Sequence, residues 1–161
     1  MEYLDLYDKN KKLTGKKILR GVDEIPKDNY INIVVIFIEN SKGEFLIQKT
    51  SIKKGSIWAT TGGHVKSGQT SKEAIIEETK EELGIDISKE KIKLIVSKRF
   101  DDVFIDSYYL KKDINIDKLL LQKEEVELVK WLSIDEINKL IKENKFRESN
   151  IEFLKLIIGG K

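Results

Sequence analysis

Four glutamates fall within one short stretch of this 161-residue chain, and they are the residues best able to do chemistry. If the stretch is helical, Glu77, Glu78, Glu81 and Glu82 share one arc at roughly 100° per residue, and Lys80 is the only basic residue among them. Like charges three or four residues apart on a helix repel each other. Grouped carboxylates become favourable when a hard cation lies between them, because magnesium prefers oxygen ligands. The cluster is therefore either a metal site or a solvated acidic helix face, and for a bare cluster the solvated face is the commoner case.

The segments around the cluster predict how it would be held. Gly62 and Gly63 form a glycine loop, in which the backbone can approach a ligand closely. Thr70 or Ser71 is suited to cap a helix that would run to Gly84. The side chains that fall on the other side of this helix would pack into a core: Ile75, Ile76, Thr79 and Leu83.

The stretch from Gly63 to Ile85 resembles the signature of the Nudix hydrolases, G-x5-E-x7-R-E-U-x-E-E-x-G-U, in which U is a bulky apolar residue. Three positions depart from it: Gln69 replaces the first glutamate, Glu77 the arginine and Thr79 the apolar residue. The motif is long and has no gaps, so the chain is identified as a member of this family. The positions that match in register are Gly63, Glu78, Glu81, Glu82, Gly84 and Ile85.

The resemblance implies an activity and a set of site residues. Nudix enzymes cleave a diphosphate linked to another moiety, usually a nucleoside diphosphate derivative, with divalent cations, so the implied cofactor is Mg²⁺ or Mn²⁺. By position, Glu78 and Glu82 match the principal metal ligands, and Glu81 matches a further ligand or a neighbouring catalytic group. The backbone carbonyl of Gly63 is a further expected ligand, and Glu78 is an alternative candidate for the general base.

The departures bear on the mechanism that the resemblance implies. In the family, the arginine orients the adjacent glutamate and commonly pairs with the earlier glutamate. Glu77 and Gln69 replace both members of that pair together, which avoids leaving either without its partner. The sequence therefore predicts either weaker hydrolysis with a metal still bound, or support of Glu78 by another residue.

Three more residues are candidates for contact with the substrate. Lys49, at a strand end, could meet a phosphate, and His64 follows the two glycines. Glu125 could bring the late carboxylate that many family members supply to the metal. Each has a structural alternative, namely an exposed lysine, a polar loop histidine and a solvated loop.

Segments outside the motif resemble one branch of the family, the isopentenyl diphosphate isomerase-like Nudix proteins. These segments are residues 4–8 with Thr14 and Gly15, the segment around Trp58, and residues 125–131. The isomerase itself uses further histidines and a catalytic cysteine, whereas this chain has one histidine and no cysteine. Isomerase chemistry is therefore not expected.

Composition excludes other classes of function. Lys and Arg number 30 against 28 Asp and Glu, a formal net charge of +2, so the composition does not show the excess of basic residues typical of nucleic-acid-binding proteins. The lack of cysteine excludes disulfides, thiolate zinc sites and cysteine nucleophiles. The N-terminal residues do not form a signal peptide, and no apolar run approaches a membrane span. We expect a cytoplasmic protein with a small-molecule substrate and no membrane partner; family members are often dimers, so a homodimer is an open alternative to a monomer.

The order of predicted elements is that of a mixed α/β (α+β) domain. The resemblance implies the Nudix fold, a mixed β-sheet in an α/β/α sandwich, here with an N-terminal β-hairpin. We predict one domain over residues 1–161, with the hairpin in 1–27, the Nudix core in about 28–145 and a C-terminal helix in about 147–158. Strands are expected at 2–7, 16–22, 31–38, 44–49, 58–61, 92–96, 103–110 and 126–132, and helices from Thr70 or Ser71 to Gly84, from the Ser133 cap to about Glu143, and at 148–158.

The function expected from the motif is metal-dependent hydrolysis of a phosphoanhydride bond in a small molecule, such as a nucleotide. A rival from another class is a Nudix domain that binds a nucleotide or a partner without hydrolysis, and Glu77 at the arginine position favours it. An acidic-helix interaction protein of unrelated fold would require the match in register to be accidental.

Overall fold

The structure is a computed structural model that describes residues 1–160. Two short 3₁₀ turns, Ile52–Lys54 and Ile116–Lys118, lie in the connections. The strands are β1 Tyr3–Tyr7, β2 Leu13–Leu19, β3 Ile31–Glu39, β4 Phe45–Thr50, β5 Trp58–Ala59, β6 Thr61–His64, β7 Lys93–Phe100, β8 Val103–Lys111 and β9 Val126–Leu132. The helices are α1 Ser71–Leu83, α2 Ile134–Lys142 and α3 Glu148–Gly159. Within the described residues, no helix is long and apolar enough to cross a membrane.

A mixed seven-stranded sheet forms the centre of the fold, in the order β5-β4-β3-β8-β7, with β6 beside β3 and β9 beside β4. Strand β3 runs parallel to β8 and antiparallel to β4 and β6. Its side chains are buried on both faces, as its almost continuous apolar run predicts. Val34 and Ile36 pack with α1 on one face, whereas Val35 and Phe37 pack with α2 and α3 on the other. These two cores confirm the predicted α/β/α sandwich.

The sheet forks next to the acidic helix. Strand β4 pairs with β3 only at Glu39 and Phe45, after which β3 pairs with β6 while β4 pairs with β5 and β9. Across the fork, Thr61 Oγ1 donates to Gln48 Oε1 at 2.9 Å, and both residues are buried. The fork therefore opens a polar gap in the sheet, directly beside α1.

Two predicted boundaries are wrong around this fork. The single strand expected at 58–61 is two strands, because the chain leaves β4 and joins β3 at Thr60. The expected glycine loop is part of β6, in which Gly62 and Gly63 pair with β3. A Cβ at Gly62 would lie 2.3 Å from Val34 O, so only glycine fits this close approach of the two strands.

Both predicted helix caps are confirmed. Thr70 forms a capping box with Glu73 at the start of α1, and Ser133 forms one with Glu136 at the start of α2. Gly84 ends α1 in the left-handed conformation, with φ of 71°. Because both ends of α1 are set by local hydrogen bonds, the register of its glutamates toward the sheet is also set.

Strands β1 and β2 form a separate two-stranded hairpin, which has its own apolar cluster that includes Leu4, Leu6, Ile18 and Ile31. Strand β2 runs from Leu13 to Leu19 instead of the predicted 16–22, because the chain turns after Leu19, whose carbonyl accepts from the amides of residues 22 and 23.

Polar contacts tie the hairpin to the rest of the fold. Asp5 accepts hydrogen bonds from Ser67 Oγ at 2.7 Å and from Gly68 N at 3.0 Å. Lys11 forms an ion pair with the buried Asp106, with 2.5 Å between Nζ and Oδ1. The hairpin is thus fixed to the loop that leads into α1 and to strand β8.

Candidate active site

A cleft of about 180 Å³ gathers residues from four parts of the chain. They come from the hairpin, from β6, from α1 and from the segment before β9. A larger depression, of about 770 Å³, lies beside α3 and contains none of the motif residues. The residues that line the smaller cleft are Glu2, Arg20, Gly62, Gly63, His64, Glu78, Glu81, Glu82, Gln122 and Glu125.

Glu78 and Glu82 form the centre of the cleft and share a hydrogen bond. Glu82 is only 7% exposed, and its Oε1 accepts from Gln48 Nε2 at 2.8 Å, so the fork in the sheet holds it. Burial, to which the charge of Glu81 adds, raises the pKa of Glu78 to about 7. Burial, to which the charge of Glu78 adds, raises the pKa of Glu82 to about 8. The two carboxyls therefore hold at least one proton between them at neutral pH, and Glu82 does not belong to a solvated helix face.

The backbone of Gly63 lies against the carboxyl of Glu78. A Cβ at Gly63 would lie 2.2 Å from Glu78 Cδ and 2.5 Å from each carboxyl oxygen. Any larger residue would displace this side chain. Because residue 63 has no side chain, the main chain of β6 can lie directly against the Glu78 carboxyl. The motif implies the same arrangement, in which both groups would bind one cation.

The oxygen atoms around Glu78 are of the chemical type that binds a hard cation. Glu78, Glu82 and the main chain at Gly63 supply oxygen donors, and Glu81 lies at the mouth of the same cleft. Among residues 1–160, no three His, Asp or Glu side chains are already arranged around one point to hold a metal ion. Binding of a cation here would require Glu78 and Glu82 to lose their shared proton, because carboxylates bind a cation in the deprotonated form.

The two motif departures contact each other. Gln69 Nε2 donates to Glu77 Oε2 at 2.8 Å, and Lys66 Nζ forms an ion pair with Glu77 Oε1. The hydrogen bond from Lys66 lowers the pKa of Glu77, and the same contact raises the pKa of Lys66. Lys66 thus supplies a positive charge beside Glu77, and the expected excess of negative charge near Glu78 is compensated.

The third departure, Thr79, is fully buried in α1. Its hydroxyl donates to the carbonyl of Ile75 at 2.7 Å, so the polar group in the apolar position is satisfied within the helix.

The structure brings two of the three candidate substrate contacts into the cleft. His64 lines it, and burial, with a contribution from the charge of Arg20, lowers the pKa of this histidine to about 4. Glu125 lines it too, with one carboxyl oxygen 3.5 Å from Lys54 Nζ. Lys49 is not among the lining residues, and its Nζ lies 3.7 Å from Glu127 Oε2.

Sequence reasoning missed Glu2, Arg20 and Gln122. They come from segments far from the motif in the chain, and no local pattern indicates that they would meet it.

Comparison with known proteins shows which family the chain matches. The model of the NUDIX domain matches residues 29–156. This chain belongs to the Nudix family. The match includes the predicted core and most of α3, and it leaves the N-terminal hairpin outside.

Individual Nudix relatives agree with this assignment. An uncharacterized Nudix hydrolase of Listeria monocytogenes, lmo0368, is 33% identical over 150 residues, which cover 91% of this chain and 88% of the relative. An uncharacterized Nudix hydrolase of Clostridium acetobutylicum is 27% identical, over 87% of this chain and 74% of the relative. The crystal structure of DR0079 from Deinococcus radiodurans has a TM-score of 0.80 over 96% of this chain and 98% of that one, at 24% identity, and so shows the shared fold.

The Nudix hydrolases are pyrophosphohydrolases, and the family acts on nucleoside diphosphate derivatives. The protein described here is one of these enzymes. The cleft at Glu78 and Glu82 lies at the family's motif, which makes it the candidate active site.

Proposed function

We propose that this protein is a cytoplasmic, Mg²⁺- or Mn²⁺-dependent enzyme that hydrolyses a phosphoanhydride bond in a nucleoside diphosphate linked to another moiety. The pairing of Glu78 and Glu82 against the backbone of Gly63 is the observation that carries the proposal. Two carboxyls that share a proton in a polar cleft form an oxygen-donor site that a divalent cation can occupy in place of that proton.

In this proposal Glu78, Glu82 and the carbonyl of Gly63 hold the cation, with Glu81 as a further ligand. A bound divalent cation supplies Lewis-acid stabilisation of the charge that develops on the phosphate oxygens. Glu81 is exposed at the mouth of the cleft, where it can accept a proton from the attacking water. Glu78 is the alternative base, because it lies in the same cleft with its pKa raised to about 7. Gln48 positions Glu82 through its hydrogen bond.

Lys66 supports the proposal of an active enzyme. It neutralises Glu77 beside Glu78, so the glutamate at the arginine position does not leave an unpaired charge next to the ligands. Lys66 contacts Glu77 and not Glu78, so direct support of Glu78 by another residue stays a prediction.

The test is phosphate release from nucleoside di- and triphosphates, nucleotide sugars and dinucleoside polyphosphates, with Mg²⁺ or Mn²⁺. Glu78→Gln and Glu82→Gln remove the proposed ligands, and Glu24→Gln makes the same chemical change on an exposed side chain outside the cleft. We expect turnover that both ligand variants lose and the Glu24 variant keeps. Turnover that survives both ligand substitutions would contradict the assignment of the site.

A second candidate is a Nudix domain that binds a nucleotide without hydrolysing it. Glu77 favours this candidate, because it stands where the motif has an arginine next to Glu78. Metal-dependent nucleotide binding by the wild type without turnover of any compound in the panel would support it.

We also propose membership of the isopentenyl diphosphate isomerase-like branch, which the resemblance of residues 4–8 and 125–131 supports. The same residues take part in the fold, since β1 contacts the loop before α1 and residue 125 lines the cleft. Homodimer formation stays a prediction, and sedimentation equilibrium would test it.

A further inference from the structure

The cleft contains five glutamate side chains and little positive charge to receive an anionic substrate. Its described lining residues include the acidic side chains of Glu2, Glu78, Glu81, Glu82 and Glu125. A diphosphate entering this cleft would meet repulsion wherever a cation does not shield it. Arg20 is the only lysine or arginine among the described lining residues.

Arg20 lies immediately after strand β2, in the hairpin outside the family match. Its main-chain N donates to Glu2 O at 2.9 Å, and its Nη1 donates to Glu2 Oε2 at 2.8 Å. The contacts of Asp5 with Ser67 and Gly68 fix the same hairpin to the loop before α1. The guanidinium therefore stands at the cleft on an anchored element.

Glu2, the ion-pair partner of Arg20, would still have a positive charge nearby if Arg20 moved away. Glu2 Oε1 also lies 3.6 Å from Lys66 Nζ. When Arg20 turns toward a phosphate, Glu2 keeps Lys66 as a neighbour. The Arg20 side chain is 42% exposed, so substrate can reach it.

We propose that Arg20 binds a phosphate group of the substrate, and that Glu2 competes with this phosphate for the guanidinium. The inference rests on the proposed function and adds a substrate-binding residue to it. A guanidinium can give two parallel hydrogen bonds to phosphate oxygens and keeps its charge at all physiological pH values. The preferred ligand class is thus a compound with at least two phosphate groups, one for the cation at Glu78 and Glu82 and one for Arg20.

The proposal predicts opposite effects for the two partners. Arg20→Gln should raise KM by roughly tenfold or more, since it removes a charge-assisted hydrogen bond to the substrate, and it should change kcat by less than about threefold. Arg20→Lys should lie between this variant and the wild type, because lysine keeps the charge and loses the paired geometry. Glu2→Gln should lower KM, because it frees the guanidinium. If Arg20 served only to hold the hairpin through Glu2, both glutamine variants would change KM in the same direction.

The experiment measures KM and kcat of these variants on the substrate that the panel identifies, together with calorimetric titration of inorganic pyrophosphate in the presence of Mg²⁺. Arg99→Gln is the matched control, because Arg99 is on β7, stacks on Tyr30 and is not among the residues that line the cleft. Should the wild type hydrolyse nothing, the proposed hydrolysis fails and the pyrophosphate titration decides the inference alone. Pyrophosphate binding weakened at least tenfold in Arg20→Gln, and unchanged in Arg99→Gln, supports it. Equal binding by wild type and Arg20→Gln, or no binding by the wild type, overturns it.

Discussion

Replacing Glu82 by glutamine is expected to stabilise the metal-free protein at alkaline pH. Glu82 is 7% exposed and its pKa is raised from 4.5 to about 8, mainly by burial. A carboxyl whose pKa is higher in the folded state favours folding in its protonated form. Its contribution is therefore complete below the unfolded-state pKa and is lost as the pH rises through about 8.

The size of the effect follows from this rise in pKa. At about 1.4 kcal/mol per pH unit, the ionisation of Glu82 costs the folded state up to about 5 kcal/mol. Part of this cost is repulsion by Glu78, and that part is present only where Glu78 is also ionised. We therefore expect Glu82→Gln to recover about 2–5 kcal/mol at pH 8.5 and close to nothing at pH 4.5. Its amide oxygen can still accept the hydrogen bond from Gln48 Nε2.

The assay is urea denaturation at several pH values from 4.5 to 8.5, in buffer with a chelator. The free energy of unfolding of Glu82→Gln, minus that of the wild type, should be close to zero at pH 4.5 and should grow as the pH rises to 8.5. The difference isolates Glu82, because His64, whose pKa burial lowers to about 4, adds the same stability to both proteins as the pH rises. Glu24→Gln, on an exposed side chain, should follow the wild type. A difference between the two proteins that stays constant or shrinks as the pH rises over this range would refute the reasoning.

Three other substitutions test separate parts of the structure. Gly63→Ala should lower kcat at least tenfold without unfolding the protein, because the new methyl would displace the flexible carboxyl end of Glu78. An activity assay measures the loss of kcat, and circular dichroism checks that the protein stays folded. Lys66→Gln should lower kcat severalfold by leaving Glu77 unpaired beside the site, with thermal stability within about 0.5 kcal/mol of wild type by calorimetry. Phe153→Ala should cost about 3–5 kcal/mol in urea denaturation, because this residue of α3 is completely buried in the core between the helix and the sheet.

Features with a local signal could be predicted from the sequence. The caps at Thr70 and Ser133 each need only one side chain and a partner three residues on, and both form as expected. The apolar run of β3 indicates burial on both faces, and strand β9 has the predicted bounds, Val126–Leu132. The glutamates of α1 belong to a long motif, so the order of residues alone indicates their common helix arc.

Features that depend on distant pairing could not be predicted. The alternation of residues around Thr60 does not reveal that the chain changes its partner strand there. The burial of Glu82 depends on Gln48, which reaches it only because the sheet forks. Arg20 enters the cleft because the hairpin docks on the loop before α1, and that docking rests on contacts such as the one between Asp5 and Ser67.

The parallel pairing of β3 with β8 also determines when the site can assemble during folding. Residue 31 pairs with residue 103, so the chain must close a long loop before the centre of the sheet forms. The motif lies entirely inside that loop. Folds dominated by such distant contacts fold slowly, because the entropy of closure is lost before the contacts compensate it. The segment 63–85, although it identifies the family, is therefore no independent folding unit: helix α1 brings its carboxyls together locally, but Glu82 reaches Gln48 only once the sheet outside the segment has formed.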